Sequence, residues 1–157
     1  MKNIIGLTAS LLLLTILTPM VSCQKEDLCE GDEAKQVETF YASEFNAAYC
    51  GLQNIDNNKK AINLVIKTQE DYEEYFSCGL QTPEIDFEKY FILAGVYRHH
   101  QCARFDNQQV LICNSKIFYK VRMLEQDCQA FTNVFYMAVI EKKYSNLQVK
   151  FDVKFLN

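Results

Sequence analysis

The chain has no tryptophan, only 2 prolines and only 5 glycines in 157 residues. So little proline and glycine excludes collagen-like and low-complexity material, and a hydrophobic share of 49% is that of a folding chain. No Cys-x-x-Cys occurs among the 7 cysteines, which argues against a zinc ribbon and against a thioredoxin-type redox pair. There is no Gly-rich phosphate loop and no Ser/His/Asp signature. Lys and Arg number 16 against 20 Asp and Glu and do not cluster, so nucleic acid is excluded as a partner. The longest apolar run, Ile4 to Leu17, falls short of the ~20 residues a spanning helix needs.

That run has the flanks of a secretory signal. Lys2 is the basic start, Leu11-Leu12-Leu13-Leu14 the apolar centre, and Val21-Ser22 the small-residue exit. Met20-Val21-Ser22-Cys23 then resembles the bacterial lipobox, an apolar residue and two small ones before a cysteine, with Met20 where the pattern prefers leucine. The resemblance implies that the Cys23 thiol carries a diacylglycerol and that Cys23 becomes the mature N-terminus, its amine open to a third chain. The competing reading is an ordinary secreted protein. Behind the cysteine, Lys25-Glu26-Asp27 resembles a surface-export signal of some Gram-negative lipoproteins; the plainer reading is a solvated linker. The expected organisation is a signal peptide at 1–22, a lipidated cysteine and tether at 23–36, and one domain at 37–157. The expected location is the outer membrane, lipid-anchored and facing the exterior, with the periplasmic face as the alternative. Loss of Lys2 makes the mature chain one charge more negative than the formal −4.

Along the domain, Val37, Phe40, Tyr41, Phe45, Ala48, Tyr49 and Leu52 recur at helical spacing and predict a helix over about 34–49, although the Tyr and Phe content leaves a strand open. Ile62, Leu64 and Ile66 alternate with their neighbours as a half-buried strand does. Thr68 reads as an N-cap with Asp71 three residues on, Tyr72, Tyr75 and Phe76 share a helical face, and Gly79 fits the position past the helix end. Phe91 to Tyr97 is continuously apolar and predicts a central strand covered on both faces. Residues 109–113 and 116–124 predict a hairpin across Asn114-Ser115, and 133–141 another strand. Leu147, Val149, Phe151, Val153 and Phe155 alternate strictly with polar residues, as an edge strand with outward lysines would. The fold class expected is α+β, a single curved antiparallel meander of about five to six strands with one or two helices packed on it.

With Cys23 lipidated, an even set remains: Cys29, Cys50, Cys78, Cys102, Cys113 and Cys128. In an exported chain such a set reads as disulfides. Counting strand directions along the meander pairs Cys102 with Cys128 and Cys78 with Cys113, leaving Cys29 for Cys50.

Val65-Ile66-Lys67-Thr68, Tyr72 and Ile85-Asp86-Phe87 carry a further resemblance, spanning about Leu64 to Val139. The stretch is similar to the C-terminal domain of a protease-complex subunit found in spirochaetes and related lipoproteins. Arg98-His99-His100-Gln101-Cys102 stands where that family has a glycine-rich turn. The resemblance implies an interaction or chaperone-like role, and it carries over no catalytic residue.

His99-His100-Gln101-Cys102 is the one local cluster of potential metal ligands or catalytic groups. Adjacent histidines in a strand point to opposite faces and do not share a metal easily. Asp86 could be a functional carboxylate, or it could satisfy backbone amides where a loop enters a strand. The tyrosines at 41, 49, 72, 97, 119 and 136 could form a ligand platform; core packing is the plainer reading. No cofactor or metal is called for. The function expected is that of a non-catalytic binding or accessory module, joined to the membrane by its lipid and open to an exported protein partner. A partner or inhibitor of an exported protease, and an enzyme using His99, His100 or Asp86, are the alternatives.

Overall fold

A computed structural model of the chain describes residues 34–36, 39–41, 50–79 and 82–156. The signal segment, Cys23, Lys25-Glu26-Asp27 and Cys29 lie outside the described residues. The strands are β1 (Lys35–Gln36), β2 (Thr39–Tyr41), β3 (Cys50–Leu52) and β4 (Ala61–Ile66), then β5 (Phe76–Cys78) and β6 (Tyr90–His99), β7 (Ala103–Cys113), β8 (Lys116–Glu125), β9 (Thr132–Glu141) and β10 (Gln148–Leu156). One helix, α1 (Gln69–Tyr75), separates β4 from β5, and a 3-10 turn at Lys142–Tyr144 separates β9 from β10.

The α+β class with antiparallel-rich open sheets and few helices is the one observed. The strands do not form one continuous meander, however. They divide into a four-stranded sheet in the order β1-β7-β8-β10, a second in the order β2-β9-β6-β4, and a two-stranded β3-β5 pair. The two larger sheets bury one shared core. Phe91, Leu93, Val134, Ala138 and Ile140 of the second sheet meet Val110, Ile117, Tyr119, Val121 and Met123 of the first. Each such fully buried large side chain contributes roughly 1.5–3 kcal/mol relative to exposure. The other face of β6 and β9 presents Ile92, Ala94, Met137 and Val139 to Tyr72 of α1 and Phe76 of β5. Aromatic edges knit this second core, with Tyr72 and Phe76 rings 4.7 Å apart and Phe76 meeting Phe135 edge-on at 5.8 Å. β6 therefore is covered on both faces, which is why its sequence is apolar without alternation.

Local signals explain most boundaries. Thr68 Oγ1 accepts from Asp71 N at 3.1 Å and starts α1. The helix does not end on Gly79. It stops at Tyr75 because Phe76 is already extended, at φ −100° and ψ 139°, and joins β5. Asn114 and Ser115, at φ 49° and 57°, make the two-residue turn of the β7–β8 hairpin, a twist that matches the flanking strands. The helix expected over about 34–49 is not present where that segment is described; Lys35–Gln36 and Thr39–Tyr41 are strands, β1 on β7 and β2 on β9. Lys35 and Gln36, assigned to the tether on sequence, thus already belong to a sheet.

The last strand also differs. It lies at a sheet edge, as its alternation requires, but pairs parallel with β8, from Gln148 on Lys116 to Leu156 on Leu124. The reason is directional: β9 returns the chain through the other sheet, so β10 must run the same way as β8. Arg122 Nη2 bonds Asp152 Oδ2 across this pair at 3.0 Å, and Lys154 Nζ lies 3.2 Å from Asp152 Oδ1. Burial raises the Asp152 carboxyl, but the hydrogen bonds from Arg122 and Lys154 outweigh it and hold the group below its ordinary value. A depressed folded value adds stability that is present above the unfolded value near ~3.9 and is lost as pH falls through the folded one. Asp152→Asn should therefore cost about 1 kcal/mol or less at pH 7. Urea melts at pH 7 and at pH 3 should show the gap to wild type closing in acid; a gap that stays constant would rule this pair out as a source of acid sensitivity.

Cys102 is bonded to Cys128, with Cα atoms 5.3 Å apart, as the strand directions require. The other two expected pairings are corrected. Cys50 is bonded to Cys78, directly opposite it in the β3–β5 register. This removes both Cys78–Cys113 and Cys29–Cys50. Direction alone decides which end of the molecule a connection occupies, so the Cys102–Cys128 pairing survives the division into two sheets. Cys78 belongs to a separate two-stranded pair, away from the β7–β8 sheet that carries Cys113.

Candidate functional site

The histidine cluster lies at one end of the paired sheets, opposite the Asn114–Ser115 turn. β6 ends there at His99 and β7 begins at Ala103; β8 ends there at Glu125 and β9 begins at Thr132. The disulfide joins the two connections, and Cys102 N donates to Cys128 O at 3.1 Å while Gln126 N donates to Cys102 O at 2.8 Å. On the same end, Arg98 Nη1 donates to the carbonyls of Asp56 and Lys59, at 3.2 and 2.6 Å, and Nη2 to Asn57 Oδ1 at 2.7 Å. These bonds tie the β3–β4 loop to β6. The loops of this end are thus held by a covalent link and by a charged fork of hydrogen bonds.

His99 is only 4% exposed. Its ring lies 4.4 Å from Phe155 of β10, so it bridges the two sheets. Its Nε2 stands 2.9 Å from Glu125 Oε1, close enough for an ion pair when the imidazole is protonated but not aligned as a hydrogen bond, and its Nδ1 has no hydrogen-bond partner. His100 does not point away from it as strand alternation predicts. β6 stops at His99, so His100 leaves the two-residue period and brings its ring to 4.4 Å from His99. Among the described residues no group of three or more His, Cys, Asp or Glu side chains could hold a metal ion. Phe131, in the loop behind Cys128, is 89% exposed, and Leu156, the last residue of β10, is 40% exposed. They are the exposed large hydrophobic residues of the described chain, and both lie on this end.

Asp86 is at the other end of β6. The ten residues of that strand put roughly 30 Å between it and His99. It accepts from Glu88 N at 3.1 Å through Oδ1, its carbonyl accepts from Lys89 N and Tyr90 N, and Lys89 Nζ lies 2.7 Å from Oδ2. The hydrogen bond from Lys89 is the main reason its carboxyl sits below the ordinary value. Asp86 is thus a turn former at the start of β6 and makes no dyad with either histidine. A cleft of about 810 Å³ beside α1 gathers Glu73, Glu84 and Asp86 on its rim with Tyr72 and Phe76 at its base, and no histidine lines it. Among the described tyrosines no platform is assembled. Tyr72, Tyr119 and Tyr136 are buried core, Tyr97 is half-buried, and the side chains of Tyr41 and Tyr49 lie outside the described residues.

Glu125 and Phe131 were missed by sequence reasoning. Glu125 meets His99 only through the packing of two sheets, which no spacing encodes. Phe131 carried a readable sign, since it is the one large apolar side chain in the polar stretch Gln126-Asp127-Cys128-Gln129-Ala130-Phe131. No family model, curated protein or solved structure matches the chain.

Proposed function

We propose that this protein is a lipid-anchored outer-membrane lipoprotein, facing the cell exterior, that acts as a non-catalytic binding or accessory module for an exported protein. The observation that carries the reading is Met20-Val21-Ser22-Cys23 placed directly after a basic start and a short apolar run. The disulfides Cys50–Cys78 and Cys102–Cys128 support it, because such bonds persist in oxidising, exported surroundings. The stapled end supports the binding part: it presents Phe131 on a loop fixed by a disulfide, so little ordering entropy is lost when an apolar partner surface covers it. The histidines belong to this end as packing and pairing groups, His99 holding β6 against β10.

Protease added to whole cells should digest the domain. Resistance in intact cells followed by cleavage after lysis would place it on the periplasmic face instead. Cross-linking on the same intact cells should capture an exported protein; capture of a protease would favour the partner-or-inhibitor reading, and capture of none would sink the accessory role.

A further inference from the structure

We infer that the domain pairs with a second copy of itself along the outer edge of β10, so that its first sheet continues across a two-fold axis at Phe151. The two larger sheets end in the strands β1, β10, β2 and β4. Of these β1 has 2 residues, β2 has 3 and β4 has 6, whereas β10 has 9. Among the described residues β10 pairs on one side only, with β8. A long open edge offers a row of backbone donors and acceptors to another strand.

The core is also unfinished at this edge. On β8, Ile117, Tyr119, Val121 and Met123 are fully buried. Their direct neighbours on β10, Val149, Phe151, Val153 and Phe155, pack on the same core but are only half-buried. A further strand laid along β10 would cover that open flank and add apolar burial.

The side chains select which strand fits. The other face of β10 carries Gln148, Lys150, Asp152 and Lys154, and its lysines repel most strands. A second β10 running antiparallel has to lay apolar face beside apolar face, because a slip of one residue reverses every side chain. With Phe151 opposite Phe151 of the second copy, Lys150 faces Asp152 and Asp152 faces Lys150, while Gln148 faces Lys154 and Val149 faces Val153. Opposite charges across a strand pair stabilise it and like charges oppose it. Centring the pair on Asp152 would set Lys150 against Lys154 and Asp152 against itself. Centring it on Lys150 would set that lysine against itself, and centring it on Val153 would set Lys150 against Leu156. Asp152 keeps its bonds to Arg122 and Lys154 within its own chain, and its carboxylate has lone pairs left for the lysine of the second copy. Such a contact uses the same edge on both copies, so it closes at a dimer.

The test is sedimentation equilibrium of the full chain, purified from cells in mild detergent, over a range of concentrations. A monomer–dimer equilibrium is expected. Lys150→Glu should weaken the dimer about tenfold, because both charge pairs become repulsive, and Gln148→Glu should strengthen it about threefold by placing a carboxylate opposite each Lys154. Both positions are exposed, so the melting of the domain should not change. A monomer at every concentration would overturn the pairing. A dimer strengthened by Lys150→Glu, or indifferent to both substitutions, would overturn this register. A photo-cross-linking residue at Gln148 in intact cells should capture a second copy within Asp152–Leu156. Capture of a different protein alone would show that the edge serves another partner and would overturn the self-pairing.

Discussion

Gly95→Ala should destabilise the domain by about 2–4 kcal/mol, far more than any surface change. Gly95 sits in the middle of β6, paired with Asn63 of β4 on one side and Tyr136 of β9 on the other. The Tyr136 side chain crosses over this glycine to reach the far strand, where its hydroxyl donates to Asn63 Oδ1 at 2.6 Å. A Cβ on residue 95 would stand 2.5 Å from Cε2, Cζ and the hydroxyl oxygen of that ring. The ring has nowhere to go. It is 2% exposed and meets Tyr119 edge-on at 6.0 Å. Burial also pushes the Tyr136 phenol well above its ordinary value, so it stays a neutral donor and its bond to Asn63 persists at all physiological pH. Displacing it costs both packing and that buried hydrogen bond. Chemical denaturation of a double-mutant cycle checks the cause. Tyr136→Ala should itself cost about 3–5 kcal/mol, and Gly95→Ala added to it should cost little more. Additive losses would mean that the glycine serves something other than passage of the tyrosine.

That crossing was not legible in the sequence, where Gly95 is merely a glycine inside an apolar run. What sequence does encode is local. Thr68 and Asp71 mark the start of α1, Asn114-Ser115 marks the hairpin, and the strict alternation from Leu147 marks an edge strand, because each depends on neighbours within a few residues. The continuous apolar stretch of β6 correctly signals two covered faces. It does not say what covers them, and that is where the single meander fails. A strand between a second sheet and a helix looks, in sequence, like one between two helices. The parallel β10 and the Cys50–Cys78 bond follow from the same hidden step, since both depend on which sheet a strand joins. The helix that the spacing predicts over about 34–49 is replaced, where the segment is described, by the short edge strands Lys35–Gln36 and Thr39–Tyr41. For the candidate site, the histidines could be found by type. Their partner Glu125, and the separation of Asp86 from them, required the two-sheet arrangement.

Cys23→Ala should move the protein from almost wholly membrane-bound to soluble, or leave it as an unprocessed precursor. Each buried methylene contributes ~0.8 kcal/mol, so one acyl chain binds only marginally while two or three hold a protein in the membrane effectively for good. Among the described residues no helix is long and apolar enough to cross a membrane, and the charge balance of the chain is acidic. Fractionation of cells expressing wild type and variant should therefore give an all-or-none difference, while the melting behaviour of the folded domain is unchanged. A variant that remains with the membrane fraction after correct processing would show that something other than acylation holds it.

The most direct measurement is the mass of the N-terminal peptide of the mature protein, taken from washed membranes. The lipoprotein reading requires a chain that begins at Cys23 and carries a diacylglycerol on sulfur, with or without a third chain on the amine. A mature chain that begins at any other residue, or at a Cys23 without lipid, would contradict it.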